Sequence, residues 1–300
     1  MGSIWNPGSV WKAGLKIGLT CKATSPGEPP KTVISSVVHK GPLYVQKAFY
    51  PEGPELAHVY PLHPPGGLVS GDELTVQLDV GNKAQALMTT PGAARVYRAR
   101  PDRTLQRQIN VFNLGVDSSL EWLPLETIVY PDAQASLNTA VHLQEGSKLM
   151  LWEVCSLGLP ASLQAFDLGS LKQTLNIYAQ GRLLLRERLV MDESTRSGFE
   201  LPVGFQGKPV TGLYVAGPFH LGQLVSQPGS GGLAQLLDDL REIPVEPSLK
   251  TSMTEVGGFI LVRTLGSCSE LSKRWMIEVW KILRPALLGR IACPPRVWRT

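Results

Sequence analysis

Four glutamates stand inside apolar, strand-like stretches, where an acidic side chain is unusual. Glu153 is the clearest case, because a two-residue repeat places it on the same strand face as Leu149 and Leu151. An ionised carboxylate on a buried face costs several kcal/mol unless it is paired or hydrated. The other three are Glu121, Glu126 and Glu187. Such acids either form ion pairs, as expected for Glu187 between two arginines, or carry a chemical function.

Two interior carboxylates could catalyse glycoside hydrolysis as general acid and base, so an all-β glycoside hydrolase is one function to keep open. Other catalytic signatures are missing from the sequence. Gly207-Lys208 is followed by Pro209, which lacks the amide that a phosphate loop would use. GxSxG, HExxH and GxGxxG do not occur, and the 5 histidines and 4 cysteines show neither zinc spacing nor CxxC. No retained cofactor and no disulfide framework are expected.

Composition limits the class of protein further. Gly 30 plus Pro 24 makes 54 of 300 residues, or 18% against about 12% in an average protein, which argues against a helical bundle. A hydrophobic share of 43% with 18% charged residues is typical of a folded chain. No apolar run reaches the ~18 residues of a membrane span. The first dozen residues lack the apolar core of a signal peptide, so a cytoplasmic location is expected.

The net charge of +4 is unevenly distributed. The segment Lys273–Thr300 holds seven basic residues and one acidic residue. These basic residues alternate with Trp275, Trp280 and Trp298, a pattern that favours a docking surface over nucleic-acid binding. Trp275 and Trp280 either pack in the core or reach a partner protein.

The elements that must position the glutamates are mostly strands. A two-residue repeat recurs between Gly, Pro and Asn/Asp breaks, most clearly in Leu74, Val76, Leu78 and Val80, followed by Gly81-Asn82. This density predicts an all-β body. Similar stretches are Leu15–Lys22, Thr32–Lys40, Leu43–Tyr50, Gln106–Leu114, Leu120–Tyr130, Leu137–Gln144, Lys148–Leu157 and Leu175–Val190.

Two helices are predicted toward the C-terminus. Leu233, Leu236, Leu237 and Leu240 recur at helical spacing after a glycine-rich run and before Pro244. The second helix is expected to open with a capping box, Ser267 with Glu270, and to stop at Pro285. Residues 1–300 are treated as one domain, and the Gly- and Pro-rich residues 199–232 are the candidate for an internal boundary or long loop.

Several strings resemble the family of urease accessory protein D, also called UreH. They follow one another in order over nearly the whole chain. They are His39–Gly53, the HPPGGxVxGD-like run Leu62–Leu74, Thr89–Ala93 with Tyr97-Arg98, the EWLP-like strand Leu120–Ile128, and the ending Leu283–Ala286 with Pro295–Thr300.

The resemblance implies a β-helix-like, mainly β fold and a chaperone that is not an enzyme. Such a protein would bind UreF, which recruits the GTPase UreG, and would dock on the urease apoprotein, UreABC. The assembly is expected to be a dimer of heterotrimers that delivers nickel. Neither a nucleic acid nor a membrane is an expected partner.

The resemblance also implies an internal metal-transfer channel lined by Asp72, Glu73, Glu153 and Glu187, with Glu126 and His63 as further candidates. The chemistry agrees with transit of Ni²⁺, because scattered carboxylates bind a dication weakly enough to release it. The competing interpretation is that these residues are ordinary turn and ion-pair acids.

Overall fold

The computed structural model describes residues 10–219 and 232–299. The strands are β1 (Trp11–Lys22), β2 (Lys31–Lys40), β3 (Tyr44–Val45), β4 (Leu56–Val59), β5 (Pro61–Leu62), β6 (Asp72–Val80), β7 (Gln85–Met88), β8 (Ala94–Val96), β9 (Gln106–Leu114), β10 (Ser119–Trp122), β11 (Thr127–Val129), β12 (Gln134–Leu143), β13 (Lys148–Leu157), β14 (Ser170–Ala179), β15 (Arg182–Met191), β16 (Val210–Gly217), β17 (Lys250–Val256) and β18 (Phe259–Gly266). The helices within these residues are α1 (Gly232–Arg241) and α2 (Ser269–Leu288).

From β6 to β14 the chain winds as a flattened coil that feeds two facing sheets in turn. Sheet 1 has the order β15-β14-β12-β9-β6-β1-β2, and sheet 2 has the order β17-β18-β16-β13-β10-β7-β4, with β11 and β8 attached beside β13. The strands supplied by the coil pair in parallel, whereas β2 and β15 in sheet 1 and β16, β18 and β17 in sheet 2 pair antiparallel. The mainly β, β-helix-like prediction with two late helices is confirmed.

The same tight turn closes successive levels of the coil. The amides of Ala84, Ser118 and Ser147 each donate to the carbonyl three residues earlier. The residue before each of these amides has a positive φ: Lys83 (59°), Asp117 (55°) and Gly146 (68°). The turns stack by further backbone bonds, so the strands that follow them, β7, β10 and β13, start at a common level and pair side by side in register.

Sheet 2 has a hydrophobic core on each of its faces. Along β13, Leu149, Leu151 and Cys155 point between the two sheets, whereas Trp152 and Val154 point toward α2. The two-residue repeat of a strand produces this division. A side chain at position 153 is therefore directed into the space between the sheets.

Helix α2 differs in two ways from the sequence prediction. Its N-cap is Cys268, without a side-chain cap hydrogen bond, so the expected Ser267 capping box does not form. The helix also continues through Pro285 and ends at Gly289, which has a φ of 67°. Proline removes one amide of the last turn, but Lys148 Nζ donates to the Leu287 carbonyl at 2.8 Å and holds that turn.

The tryptophans of α2 are core residues. Trp275 is 5% exposed and Trp280 is 0% exposed, so the interpretation that they reach a partner protein is wrong. Helix α1 lies where predicted. None of the helices in the described part of the chain combines the length and apolarity needed to cross a membrane. The candidate boundary at residues 199–232 lies partly outside the described residues.

Candidate functional site

Glu153 lies between the two sheets and is held by side chains of sheet 1. Its Oε1 accepts a hydrogen bond from Thr139 Oγ1 on β12 at 2.8 Å. Its Oε2 accepts one from Gln173 Nε2 on β14 at 2.7 Å. Both donors are neutral, and no cationic side chain within residues 10–219 and 232–299 forms an ion pair with this carboxylate. The predicted acid on a buried strand face is therefore present, and it is hydrogen-bonded instead of ion-paired.

Two cavities share this carboxylate in their linings, and the side chains common to both define what is called the junction. One has a volume of about 440 Å³ and the other of about 520 Å³. Glu153 and Gln173 line both. The Glu153 side chain is therefore in contact with both cavities.

Burial changes the acidity of groups around this junction. It raises the pKa of Glu153 above its ordinary value, although the hydrogen bonds from Thr139 and Gln173 act in the opposite direction. Burial also raises the pKa of the Cys155 thiol to about 12, and the nearby Glu153 charge adds to this shift. Cys155 is thus a neutral thiol near neutral pH and a poor metal ligand.

Glu187 and Arg263 lie where the smaller cavity reaches the surface. Glu187 is on β15 in sheet 1 and Arg263 is on β18 in sheet 2, and their side chains form an ion pair at 2.7 Å. The Glu187 side chain is 26% exposed and that of Arg263 is 41% exposed. In sheet 2, Leu213 lies between Glu153 on one neighbouring strand and Arg263 on the other. Glu153 and Arg263 are therefore two strand spacings apart, or roughly 10 Å.

His63 lines the larger cavity. Its Nε2 is buried and has no hydrogen-bond partner among the described residues. Burial lowers the pKa of His63, whereas the charge of Asp72 raises it. Asp72 begins β6, accepts a hydrogen bond from the Val69 amide at 2.9 Å, and has a pKa that burial raises. The strand that follows Asp72 contributes Leu74 and Val76 to the same cavity.

Glu73 and Glu126 are not brought to these cavities. Glu73 faces the outer side of sheet 1, where Lys12 lies 3.1 Å and Arg107 3.6 Å from its carboxylate. Glu126 forms an ion pair with Lys273 of α2 at 2.8 Å. Of the six predicted residues, Glu153, Glu187 and His63 line the two cavities, and Asp72 interacts electrostatically with His63.

A second buried charge cluster joins α2 to the coil. The Arg284 guanidinium donates to Glu121 at 2.9 Å and to Glu52 at 2.6 Å, and Glu52 also contacts His58 at 2.8 Å. The Trp280 indole donates to Glu121 at 2.7 Å. Sequence reasoning noted Glu121 but missed its partners. A signal existed, because Arg284 lies on the apolar stripe of α2, where a charge requires a buried counter-charge.

Sequence reasoning also missed the polar partners of Glu153. Thr139 and Gln173 occupy inward positions of their strands, which a two-residue repeat could have identified. Across residues 10–219 and 232–299, no group of three or more His, Cys, Asp or Glu side chains is arranged to hold a metal ion.

The fold and site define a class of protein: a coiled β-sandwich in which two cavities share one half-buried carboxylate that has no cationic partner among the described residues. The sequence model of the UreD urease accessory protein family matches residues 13–299. The chain is 44% identical over 292 residues to "Urease accessory protein UreD" of Marinomonas sp. (strain MWYL1), covering 97% of this chain and 91% of that protein. It is 38% identical to the protein of the same name from Psychromonas ingrahamii, covering 98% and 96% of the two chains.

The chain belongs to the UreD urease accessory protein family. The resemblance found in the sequence motifs is therefore confirmed. Membership supports a role in urease maturation.

Proposed function

We propose that this protein is a non-enzymatic chaperone that carries Ni²⁺ between its two sheets during urease maturation. The proposed path contains His63 at the larger cavity, with the Asp72 charge beside it, then Glu153 at the junction, and Glu187 at the opening of the smaller cavity. Nickel is the cargo and is released at the end of the path. Glu73 and Glu126 stay outside it, because each is paired with a cation away from the cavities.

One observation carries this proposal: a single carboxylate lines both cavities. An ion crossing a protein interior of low dielectric constant is stabilised by each negative charge near its path. Ni²⁺ accepts oxygen and nitrogen ligands, and an incomplete set of them binds it weakly. One carboxylate per position therefore lowers the free energy of the ion in transit without trapping it.

The proposed partners follow from family membership and not from the geometry of the cavities. They are UreF, the GTPase UreG bound through UreF, and the urease apoprotein, in a cytoplasmic assembly that is a dimer of heterotrimers. The measurement for this part is co-purification of the tagged chain with each partner, followed by the mass of the complex in solution. A complex lacking UreF would contradict it.

The path is tested with Glu153→Gln, which keeps the shape of the side chain and removes its charge. The variant is co-expressed with urease and the other accessory proteins, and the nickel content and activity of the purified urease are measured. Loss of a charge beside a dication in a partly dry interior is worth at least ~1.4 kcal/mol, so we expect a drop in nickel loading of tenfold or more. Co-purification with the partners should be unchanged.

Glu145→Gln is the matched control, because Glu145 is exposed at a corner of the coil. Normal nickel loading in Glu153→Gln would contradict the path, and a docking role alone would remain. The glycoside hydrolase alternative has its own outcome. Hydrolysis of a glycoside panel by the purified protein, abolished by Glu153→Ala, would favour it over nickel transfer.

A further inference from the structure

A chain of hydrogen-bonded polar side chains crosses the interior of the sandwich and ends at Glu153. Gln108 Nε2 donates to Asn110 Oδ1 at 3.2 Å. Asn110 Nδ2 donates to Thr139 Oγ1 at 3.2 Å, and Thr139 donates to Glu153. Gln173 reaches the other carboxylate oxygen. All five residues line the larger cavity.

The direction of the donors is consistent along this chain. The Thr139 oxygen accepts from Asn110, so its hydroxyl hydrogen is available for Glu153. Gln173 presents its amide hydrogens to Glu153 from the opposite side. Each carboxylate oxygen thus receives one donor, and each keeps lone pairs with which it can coordinate a cation.

Packing alone does not account for these residues. Asn110 is 7% exposed and Thr139 is 3% exposed, and buried polar groups are costly to place in an apolar interior. The inward positions next to them on the same strands hold Phe112 and Val141, which are fully buried. The polar inward positions of these strands therefore coincide with the lining of the larger cavity, and their side chains form one hydrogen-bonded chain that ends on Glu153.

We infer that Thr139 and Gln173 are positioning residues, which hold the Glu153 carboxylate across the junction of the two cavities, and that Asn110 and Gln108 orient Thr139. This inference rests on the proposed function of Glu153 in cation transfer. Without the two donors the carboxylate could rotate away from the junction. A passing divalent cation would then lose its ligand there, even though the charge remains in the protein.

The test compares Thr139→Val with Thr139→Ser in the nickel-loading assay described for Glu153. Valine keeps the shape of threonine without the hydroxyl group, whereas serine keeps the hydroxyl. We expect nickel loading to fall about tenfold in Thr139→Val, the effect of losing one hydrogen bond to a charged group, and to stay within about twofold of wild type in Thr139→Ser. Thr174→Val, on the outer face of β14, is the matched control.

A second comparison separates positioning from a merely structural role. In the Glu153→Gln background, Thr139→Val should cause no further loss of nickel loading, because residues that act through one group are not additive. If Thr139 had only a structural role, Thr139→Val would lower nickel loading by the same factor in the wild-type and Glu153→Gln backgrounds. Loading is normalised to the amount of chain that co-purifies with urease. Gln173→Met provides the same comparison if Thr139→Val does not accumulate as folded protein.

The outcomes also distinguish this inference from the proposed function. Full nickel loading in Glu153→Gln would overturn the path itself. A strong effect of Glu153→Gln with no effect of Thr139→Val and Gln173→Met would overturn only the positioning role. Equal losses in Thr139→Val and Thr139→Ser would overturn it as well, since the hydroxyl group would then be irrelevant.

Discussion

Replacing Arg284 by methionine is expected to destabilise the fold strongly. The Arg284 side chain is 0% exposed and makes ion pairs with Glu121, which is 0% exposed, and with Glu52, which is 9% exposed. Methionine keeps much of the aliphatic volume and removes the charge. The Glu121 and Glu52 carboxylates would then lie in the interior without the guanidinium group. Glu121 would keep its hydrogen bond from the Trp280 indole, and Glu52 would keep its contact with His58.

The magnitude follows from this arrangement. Breaking a buried ion pair by removing one partner costs about 3–5 kcal/mol, because the remaining charge is uncompensated. Arg284 pairs with two carboxylates, so we expect a loss in the upper half of that range, about 4–5 kcal/mol in the free energy of unfolding. Lys281→Met is the matched control, since Lys281 is an exposed cation on the same helix whose pair with Glu278 contributes little.

The loss of unfolding free energy in Arg284→Met should depend on pH, and its direction can be derived. Burial raises the pKa of Glu121, and Arg284 opposes this shift. Removal of Arg284 therefore raises that pKa further. A carboxyl whose pKa is higher in the folded state contributes stability below its unfolded pKa and loses this contribution as pH rises through its folded pKa. The deficit of Arg284→Met should be smaller at mildly acidic pH than at mildly alkaline pH.

Guanidinium denaturation followed by tryptophan fluorescence measures this effect. The Trp280 indole donates directly to Glu121 and is one of 7 tryptophans, so the fluorescence follows unfolding of the whole chain, this site included. An Arg284→Met protein within about 1 kcal/mol of wild type, in the range of ordinary substitutions, would refute the reasoning. So would a deficit that does not change with pH.

Two further predictions concern a thiol and a glycine. Cys155 should resist a thiol reagent in the folded protein, because it is buried and its pKa is raised to about 12. The exposed Cys268 should react at once. Mass spectrometry counts the modified cysteines, and rapid modification of both in native protein would contradict this. Gly212→Ala should cost about 1–3 kcal/mol, because its added Cβ would lie 2.5 Å from Met276 Cε of α2. Gly92→Ala, whose Cβ would meet no atom within 4 Å, is the control, and equal melting temperatures for the two variants would count against the argument.

Strands were the most predictable part of the fold. The repeat from Leu74 to Val80 corresponds to β6 almost residue for residue, because alternation of buried and exposed positions is a local property of the chain. The end of α2 was not predictable in this way. Pro285 normally interrupts a helix, but contacts made by Arg284 and Leu287 with distant residues keep the last turn helical.

The coil itself left no repeat that could be recognised in the sequence. Its equivalent turns begin at Gly81, Gly115 and Gln144, and neither their spacing nor their residue types are constant. The structural repeat arises because each turn hydrogen-bonds to the one below it. Those bonds involve backbone atoms, which carry no sequence signature.

The sequence by itself determined which strand residues alternate between inward and outward positions, where helices form, and that Glu153 lies on a strand face shared with leucines. The tertiary structure decided that Glu153 joins two cavities, that Glu73 faces outward to Lys12, and that Arg284 meets Glu121 at a separation of 163 residues. Periodicity is encoded within about ten residues of chain. Which distant segments meet depends on the summed packing and hydrogen bonding of the whole coil, set against the entropy of closing long loops.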